Sequence, residues 1–323
     1  MKTDKGTTIG VFSPSYIIIN EAPDAAVRAE KYIKSQGFNV RHGKLWGKAD
    51  AYRTGTPKER ADEFNTLLYD PEVDILMASV GGNVTNGMLP YIDYDYYAKN
   101  PKPVVGMSDV TVLLMALYAK TNIPTYYGSN FVTSYARLDP YRDIALKSLC
   151  DVLNFENRYE YKFPEYYSDV VIDWTKELTE EKLIPNKIIT MHGGKATGRL
   201  IGGNLWRMSD LWGTPYMPEI KVGDILFIED TEEWASSLES TLARLKISGV
   251  FDMIGGLIIG KCRQYNHEGT DMTYYDFIYD YLDKPDYPVL AECDFSHCAP
   301  MLTIPVGITA ELDADKQTIR LLQ

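Results

Sequence analysis

Short apolar runs alternate with amphipathic stretches along the first third of the chain. Residues 7–12 (Thr-Thr-Ile-Gly-Val-Phe) read as a buried strand. Residues 24–36 read as a helix: Ala26, Val27, Ala29 and Ile33 recur at helical spacing, Asp24 can cap the start and Gly37 can end it. Residues 38–41 form a second strand candidate. Residues 57–69 are helical, with Ala61, Phe64, Leu67 and Leu68 on one face and Asp70-Pro71 as a stop. Residues 74–79 predict a buried strand running into Val80-Gly81-Gly82-Asn83, residues 103–107 another, and residues 109–119 a helix. Strands alternating with helices predict a doubly wound parallel sheet of Rossmann or flavodoxin type, with helices on both faces. Ligands of such sheets sit beyond the carboxyl ends of the strands.

The pattern changes after residue 150. Residues 151–195 are rich in Tyr, Glu, Asp and Lys and lack a clean period, which predicts a linker with surface excursions. Periodic segments then return. Strands are expected at 198–203, 224–229, 257–260 and 288–293. Trp234, Leu238, Leu242 and Leu245 mark an amphipathic helix over 234–247. Residues 308–312 and 318–322 predict a hairpin across 313–316. The reading is therefore an N-terminal α/β domain (1–150), a linker (151–195) and a C-terminal mixed β/α domain (196–323), with a site in the cleft between the domains.

Composition narrows the partners. With 45 % apolar and 24 % charged residues, the chain has a globular balance rather than a disordered one. Its net charge of −12 argues against tracking a nucleic-acid polymer or an anionic membrane. No apolar run is long enough for a transmembrane helix. Cys150, Cys262, Cys293 and Cys298 are too sparse for a disulfide scaffold and fit a reducing compartment, so a cytoplasmic address is expected. Cys293, His297 and Cys298 invite a metal reading, but neither Cys-x-x-Cys nor His-Glu-x-x-His occurs, so no metal is expected.

Four places can carry chemistry. Ser108, in Gly106-Met-Ser-Asp109, sits at a strand-to-helix turn, where a hydroxyl is exposed and unpaired N–H groups are at hand. The plain alternative is a helix N-cap, and the second glycine of Gly-x-Ser-x-Gly is missing. Gly81-Gly82-Asn83 lets backbone N–H groups face a ligand; the alternative is an ordinary βα turn. Glu229-Asp230 ends a buried strand, where a carboxylate can orient a histidine; the alternative is first-turn acids favouring a helix dipole, a reading that also suits Glu232 and Glu233. His297 lies in a loop between two strands, suited to general-base work; the alternative is an incidental surface residue, as a lone loop histidine more often is, and His192 and His267 have the polar, Gly-rich surroundings of that kind. His42 completes the set of four histidines.

Taken in order, Ser13-Pro-Ser15, Gly81-Gly-Asn-x-Thr-Asn86, Gly106-x-Ser-Asp109, Gly198-Arg-Leu-Ile-Gly-Gly-Asn-Leu205, Glu229-Asp230 and His297-x-x-Pro300 resemble the LD-carboxypeptidase family of serine peptidases. The likeness runs from about residue 7 to residue 312. It implies a Ser-Glu-His triad of Ser108 as nucleophile, His297 as base and Glu229 as orienter. It implies an oxyanion hole from the N–H groups of Gly82 and Asp109, and a homodimer without metal or other cofactor. The segment from Gly81 through Leu89-Pro-Tyr-Ile-Asp-Tyr94 looks like the microcin C immunity branch of that family. That branch acts on peptidyl- or aminoacyl-nucleotides, and Trp174 is the candidate to stack on the base. Asn204, Lys261 and Arg263 are candidates for holding the terminal carboxylate or its surrogate, on position alone, and Asn83 is a further substrate-binding candidate. Trp206 and Trp212 are expected to be packing residues. Two rivals stand beside this reading: a murein tetrapeptide LD-carboxypeptidase, and a two-domain binding protein that has lost catalysis.

Overall fold

The computed structural model describes residues 3, 5–178 and 181–323. The first five strands are β1 (Thr8–Phe12), β2 (Asn39–His42), β3 (Ile75–Ala78), β4 (Val104–Gly106) and β5 (Thr125–Tyr127). They are all parallel and lie in the order β2-β1-β3-β4-β5. This is the doubly wound arrangement whose order reverses between β1 and β3. The loops that leave β1, β3 and β4 carry Ser13–Ser15, Gly81–Asn83 and Ser108, so all three converge at the switch point.

The chain then passes through β6 (Arg158–Glu160), β7 (Tyr166–Tyr167), β8 (Ile184–Pro185) and β9 (Ile189–His192). The second sheet is built on β10 (Lys195–Asn204), β11 (Ile225–Glu229), β12 (Gly256–Gly260) and β13 (Val289–Cys293), which are mutually parallel. After β14 (Ile304–Val306), the hairpin of β15 (Thr309–Asp313) and β16 (Thr318–Leu322) completes the second sheet in the order β6-β16-β15-β10-β11-β12-β13-β9. Two expectations need correction here. Residues 151–195 are more than a linker, because β6 and β9 form both edges of the second sheet. The last third of the chain is not confined to that sheet either: β14 pairs antiparallel with β5 and forms an edge of the first.

Local sequence explains most of the helices. Thr56 and Glu59 make a reciprocal capping box at the start of Pro57–Tyr69. The helix Pro23–Ser35 starts with Pro at its first turn and has no side-chain cap, so Asp24 acts as a first-turn acid rather than a cap. Val27 in that helix faces solvent at 64 % exposure and is not on the core face. Leu238, Leu242 and Leu245 are buried as their spacing predicts, while Trp234 stays exposed ahead of the helix Ala235–Ile247. Trp212 packs against the core, but Trp206 is exposed, with the Arg207 guanidinium 4.0 Å from its ring centroid.

The helix Thr111–Thr121 shows how the halves meet. Every residue from Thr111 to Tyr118 is buried, so this helix is apolar all round and lies between the sheets. Asn204 N donates to Thr111 Oγ1 at 3.0 Å. Gly203 lets the strand approach, since a Cβ there would stand 2.6 Å from Thr111 Cγ2. Among the described residues, no helix is long and apolar enough to cross a membrane.

Candidate active site

Ser108 follows β4 at a sharp turn. Its φ of +62° is a left-handed conformation that a non-glycine residue adopts only when its surroundings hold it. Two side chains hold it: Asn130 Oδ1 accepts from Met107 N at 3.1 Å, and Tyr127 Oη accepts from Ser108 N at 3.1 Å. The turn opens a 3₁₀ segment, Ser108–Val110, ahead of the helix Thr111–Thr121. Ser108 makes no capping bond, so the N-cap reading does not apply.

The loop after β3 lies against this turn. A Cβ at Gly81 would fall 2.9 Å from Ser108 Cβ and 3.1 Å from Asp109 N. Gly82 has φ +145°, and a Cβ there would meet Ser15 Oγ at 2.3 Å, so glycine is required on both counts. Ser15 Oγ accepts from Asn83 N and Val84 N at 3.0 and 3.1 Å. Asp109 Oδ2 accepts from Val84 N, Thr85 N and Thr85 Oγ1 at 2.7–2.9 Å. The buried Arg60 guanidinium donates to the carbonyls of Pro14, Gly55 and Val84. The loop is thus pinned from three sides. Among the described residues, neither Gly82 N nor Asp109 N donates a hydrogen bond to the protein.

Glu229 ends β11 and His297 follows β13. Glu229 is fully buried, and each carboxylate oxygen takes two donors. Oε2 receives His297 N at 3.2 Å and His297 Nδ1 at 2.7 Å, while Oε1 receives Tyr127 Oη at 2.5 Å and Asn204 Nδ2 at 3.0 Å. Burial alone pushes this carboxyl up. The His297 ring and the bonds from His297, Tyr127 and Asn204 outweigh it and hold Glu229 below the ordinary carboxylate range. Asp230 goes the other way: burial first, then Glu233 and Glu229, push it well above its ordinary value. Two adjacent acids are therefore pushed in opposite directions. The helix that follows begins at Ala235, so Glu232 and Glu233 precede it instead of filling its first turn.

A cavity of about 520 Å³ opens between the sheets. Its wall includes Gly82, Asn83, Ser108, Trp174, Arg263 and His297, which were singled out in the sequence, together with Arg137. No hydrogen bond of Ser108 Oγ is found among the described residues; catalytic contacts are often loose until substrate binds. Arg263 donates to Thr231 Oγ1 at 3.2 Å and lies 3.4 Å from the exposed Glu232 carboxylate. Asn83 Oδ1 is taken by Arg207 at 2.7 Å. Arg137 pairs with Glu181 and stands 5.8 Å from the Trp174 ring centroid.

Two carboxylate-holding candidates stand behind the wall. Asn204 is buried; its amide N–H donates to Glu229, and its oxygen accepts from Arg207 N. Lys261 is only 2 % exposed and is spent on Asp294 at 2.9 Å and on the Glu292 carbonyl. Position along the chain placed them near the site, but their polar atoms are already committed to the protein. Tyr127 and Arg137 went unread in the sequence. Thr125-Tyr-Tyr-Gly128 after Pro124 was the available strand signal for the first; Arg137 had none.

Family models describe residues 9–128 as an LD-carboxypeptidase N-terminal domain and residues 197–312 as an LD-carboxypeptidase C-terminal domain. A Vibrio cholerae protein is 41 % identical over 317 residues, spanning 98 % of this chain and 95 % of its own. The microcin C7 self-immunity protein MccF of Escherichia coli is 39 % identical over 322 residues, spanning 98 % and 94 %. Structures of MccF in complex with glutamyl sulfamoyl guanosine and with aspartyl sulfamoyl adenosine each match with a TM-score of 0.96, at 38 % and 39 % identity, covering 100 % of this chain and 97 % of theirs. With both halves matched to its domains and relatives aligned along almost the whole length, this chain belongs to the LD-carboxypeptidase family of peptidases.

Proposed function

We propose that this protein is a serine carboxypeptidase that hydrolyses an amide bond near a carboxyl end, in peptidyl- or aminoacyl-nucleotides of the microcin C type. The observation that carries the reading is the convergence of Ser108 and His297 on one cavity, with Glu229 Oε2 fixed 2.7 Å from His297 Nδ1. Glu229 sets the tautomer that leaves His297 Nε2 free to take the Ser108 proton. Ser108 Oγ then attacks the carbonyl, and the N–H groups of Gly82 and Asp109 receive the oxyanion. His297 returns the proton to the leaving nitrogen, and water repeats the cycle on the acyl-enzyme. The reading needs no metal, since the triad handles the proton and the amides handle the charge. By the same likeness it includes a homodimer, and the sparse cysteines support a cytoplasmic address.

Trp174 on the cavity wall favours a nucleotide over a murein peptide, because an indole face offers a base a stacking surface. MccF, whose solved complexes hold sulfamoyl nucleosides, supports the same choice. Arg263 is a cation on the cavity wall for the anionic linkage or carboxylate, and Asn83 lines the same cavity as a further polar contact. The test runs aspartyl sulfamoyl adenosine and a murein tetrapeptide side by side with wild type and Ser108→Ala. Wild type should cleave the first substrate, and Ser108→Ala should lose that turnover by on the order of 10⁴-fold or more. Equal rates for the two proteins would remove the serine mechanism, and preference for the tetrapeptide would replace the substrate.

A further inference from the structure

Tyr127 ends β5 and is completely buried. Its backbone sits between Gly106 of β4 and Ile304 of β14, and its ring lies 6.0 Å from that of Phe227 on β11. Its hydroxyl has two partners. One is Ser108 N at 3.1 Å; the other is Glu229 Oε1 at 2.5 Å. A backbone N–H can only donate, so the phenol oxygen accepts from Ser108 and gives its one proton to the carboxylate. Burial beside Glu229 pushes the phenol well above its ordinary range, which keeps that proton in place.

From this geometry we infer that Tyr127 is a positioning residue for catalysis, a one-atom bridge that ties the Ser108 turn on the first sheet to Glu229 on the second. The inference rests on the serine-peptidase reading above. Three consequences follow from the contacts. The left-handed turn at Ser108 is held by a bond to its own amide. That amide is drawn away from the cavity, which leaves Gly82 N and Asp109 N as the donors available to an oxyanion. Glu229 Oε1 is fixed in direction, so Oε2 stays aimed at His297 Nδ1 and the imidazole cannot swing with the carboxylate.

The test uses the intact protein and a fluorophosphonate probe, with labelling of Ser108 followed by intact mass and peptide mapping. Affinity for AMP, which is not turned over, is measured alongside. Tyr127→Phe removes one oxygen and keeps the ring. It should slow labelling by about 10-fold or more while AMP affinity stays within about twofold. In a Glu229→Ala background the same change should cost less than about threefold, because the bridge has already lost its acceptor. Replacing Tyr127 with 4-aminophenylalanine, which keeps a donor and a lone pair, should restore labelling to within about threefold of wild type. Should Tyr127→Phe fail to fold, 4-aminophenylalanine against 4-methylphenylalanine makes the same comparison with the site filled. Wild-type labelling in Tyr127→Phe, or losses that multiply fully with Glu229→Ala, would overturn the positioning role while leaving the serine reading intact. A wild-type protein that never labels at Ser108 would overturn both, and so tells the two failures apart.

Discussion

Asn204 and Glu229 are register partners across the parallel pair β10–β11, and the amide of the first donates to Oε1 of the second at 3.0 Å. The same asparagine caps the helix Leu205–Ser209 by accepting from Arg207 N. A residue at the end of one strand therefore both shapes the next helix and helps keep the neighbouring carboxylate ionised. Asn204→Ala should lower kcat by about 10- to 100-fold, the worth of a bond to a charged group, and cost about 1 kcal/mol of stability through the lost cap. Substrate KM should move little, because Asn204 does not reach the cavity. Steady-state kinetics with urea unfolding checks all three; a rise in KM as the main effect would put Asn204 back among the substrate contacts.

Trp174 should act on binding rather than on chemistry. Loss of base stacking in Trp174→Ala should raise KM for a nucleotide substrate by roughly 5- to 150-fold with kcat held, and Trp174→Phe should recover part of it. An aminoacyl substrate with no base should be indifferent to both changes. Titration of AMP into the two variants gives an independent reading.

Lys261 should matter for folding. It is paired with Asp294, and Asn186 Nδ2 donates to the other oxygen of that carboxylate at 2.9 Å. Lys261→Met strands a buried carboxylate and should cost about 3–5 kcal/mol by chemical denaturation. Ligand affinity of the folded fraction should be close to wild type. An affinity loss without a stability loss would make Lys261 a substrate contact after all.

Glu63 gives a pH signature. Burial pushes its carboxyl up to about 7 against an ordinary 4.5, even though Ser13 N and Leu45 N donate to it. An acid raised on folding lets the unfolded chain ionise first, so stability falls as pH rises from about 4.5 to about 7 and then levels off. The size is on the order of 3 kcal/mol. Unfolding midpoints measured across that window should slope downward more steeply in wild type than in Glu63→Gln. Parallel slopes would mean that Glu63 titrates normally in the folded protein.

The doubly wound first half was legible because β1, β3 and β4 are short and largely apolar and the helices Pro23–Ser35 and Pro57–Tyr69 have a clear period, whereas β2 is an exposed Asn-Val-Arg-His edge and β5 had only three residues to show. The order of Ser108, Glu229 and His297 was legible through motifs, and the structure gathers Ser108 and His297 at one cavity with Glu229 behind the imidazole. What escaped reading had little local signal. β14 is three residues, Ile-Pro-Val, whose partner lies about 180 positions earlier. β6 and β9 sit in a stretch whose polar composition suits sheet edges as well as loops. The helix Tyr141–Asn154 is an exception, since it carries apolar residues at helical spacing, with Ala145, Leu149 and Val152 buried. The commitments of Lys261 and Asn204 depend on partners brought in by tertiary structure, which spacing does not encode.

The pairing of β14 with β5 has a consequence for biogenesis. Until residues 304–306 leave the ribosome, the strand that carries Tyr127 lacks a neighbour on one flank, and an unpaired edge beside Ser108 invites association with other chains. The first sheet is thus complete only once residues 304–306 are in place, so the first half on its own lacks one of its strands. Any attempt to split or circularly permute this polypeptide has to keep that short segment with the lobe it completes rather than with the lobe it follows.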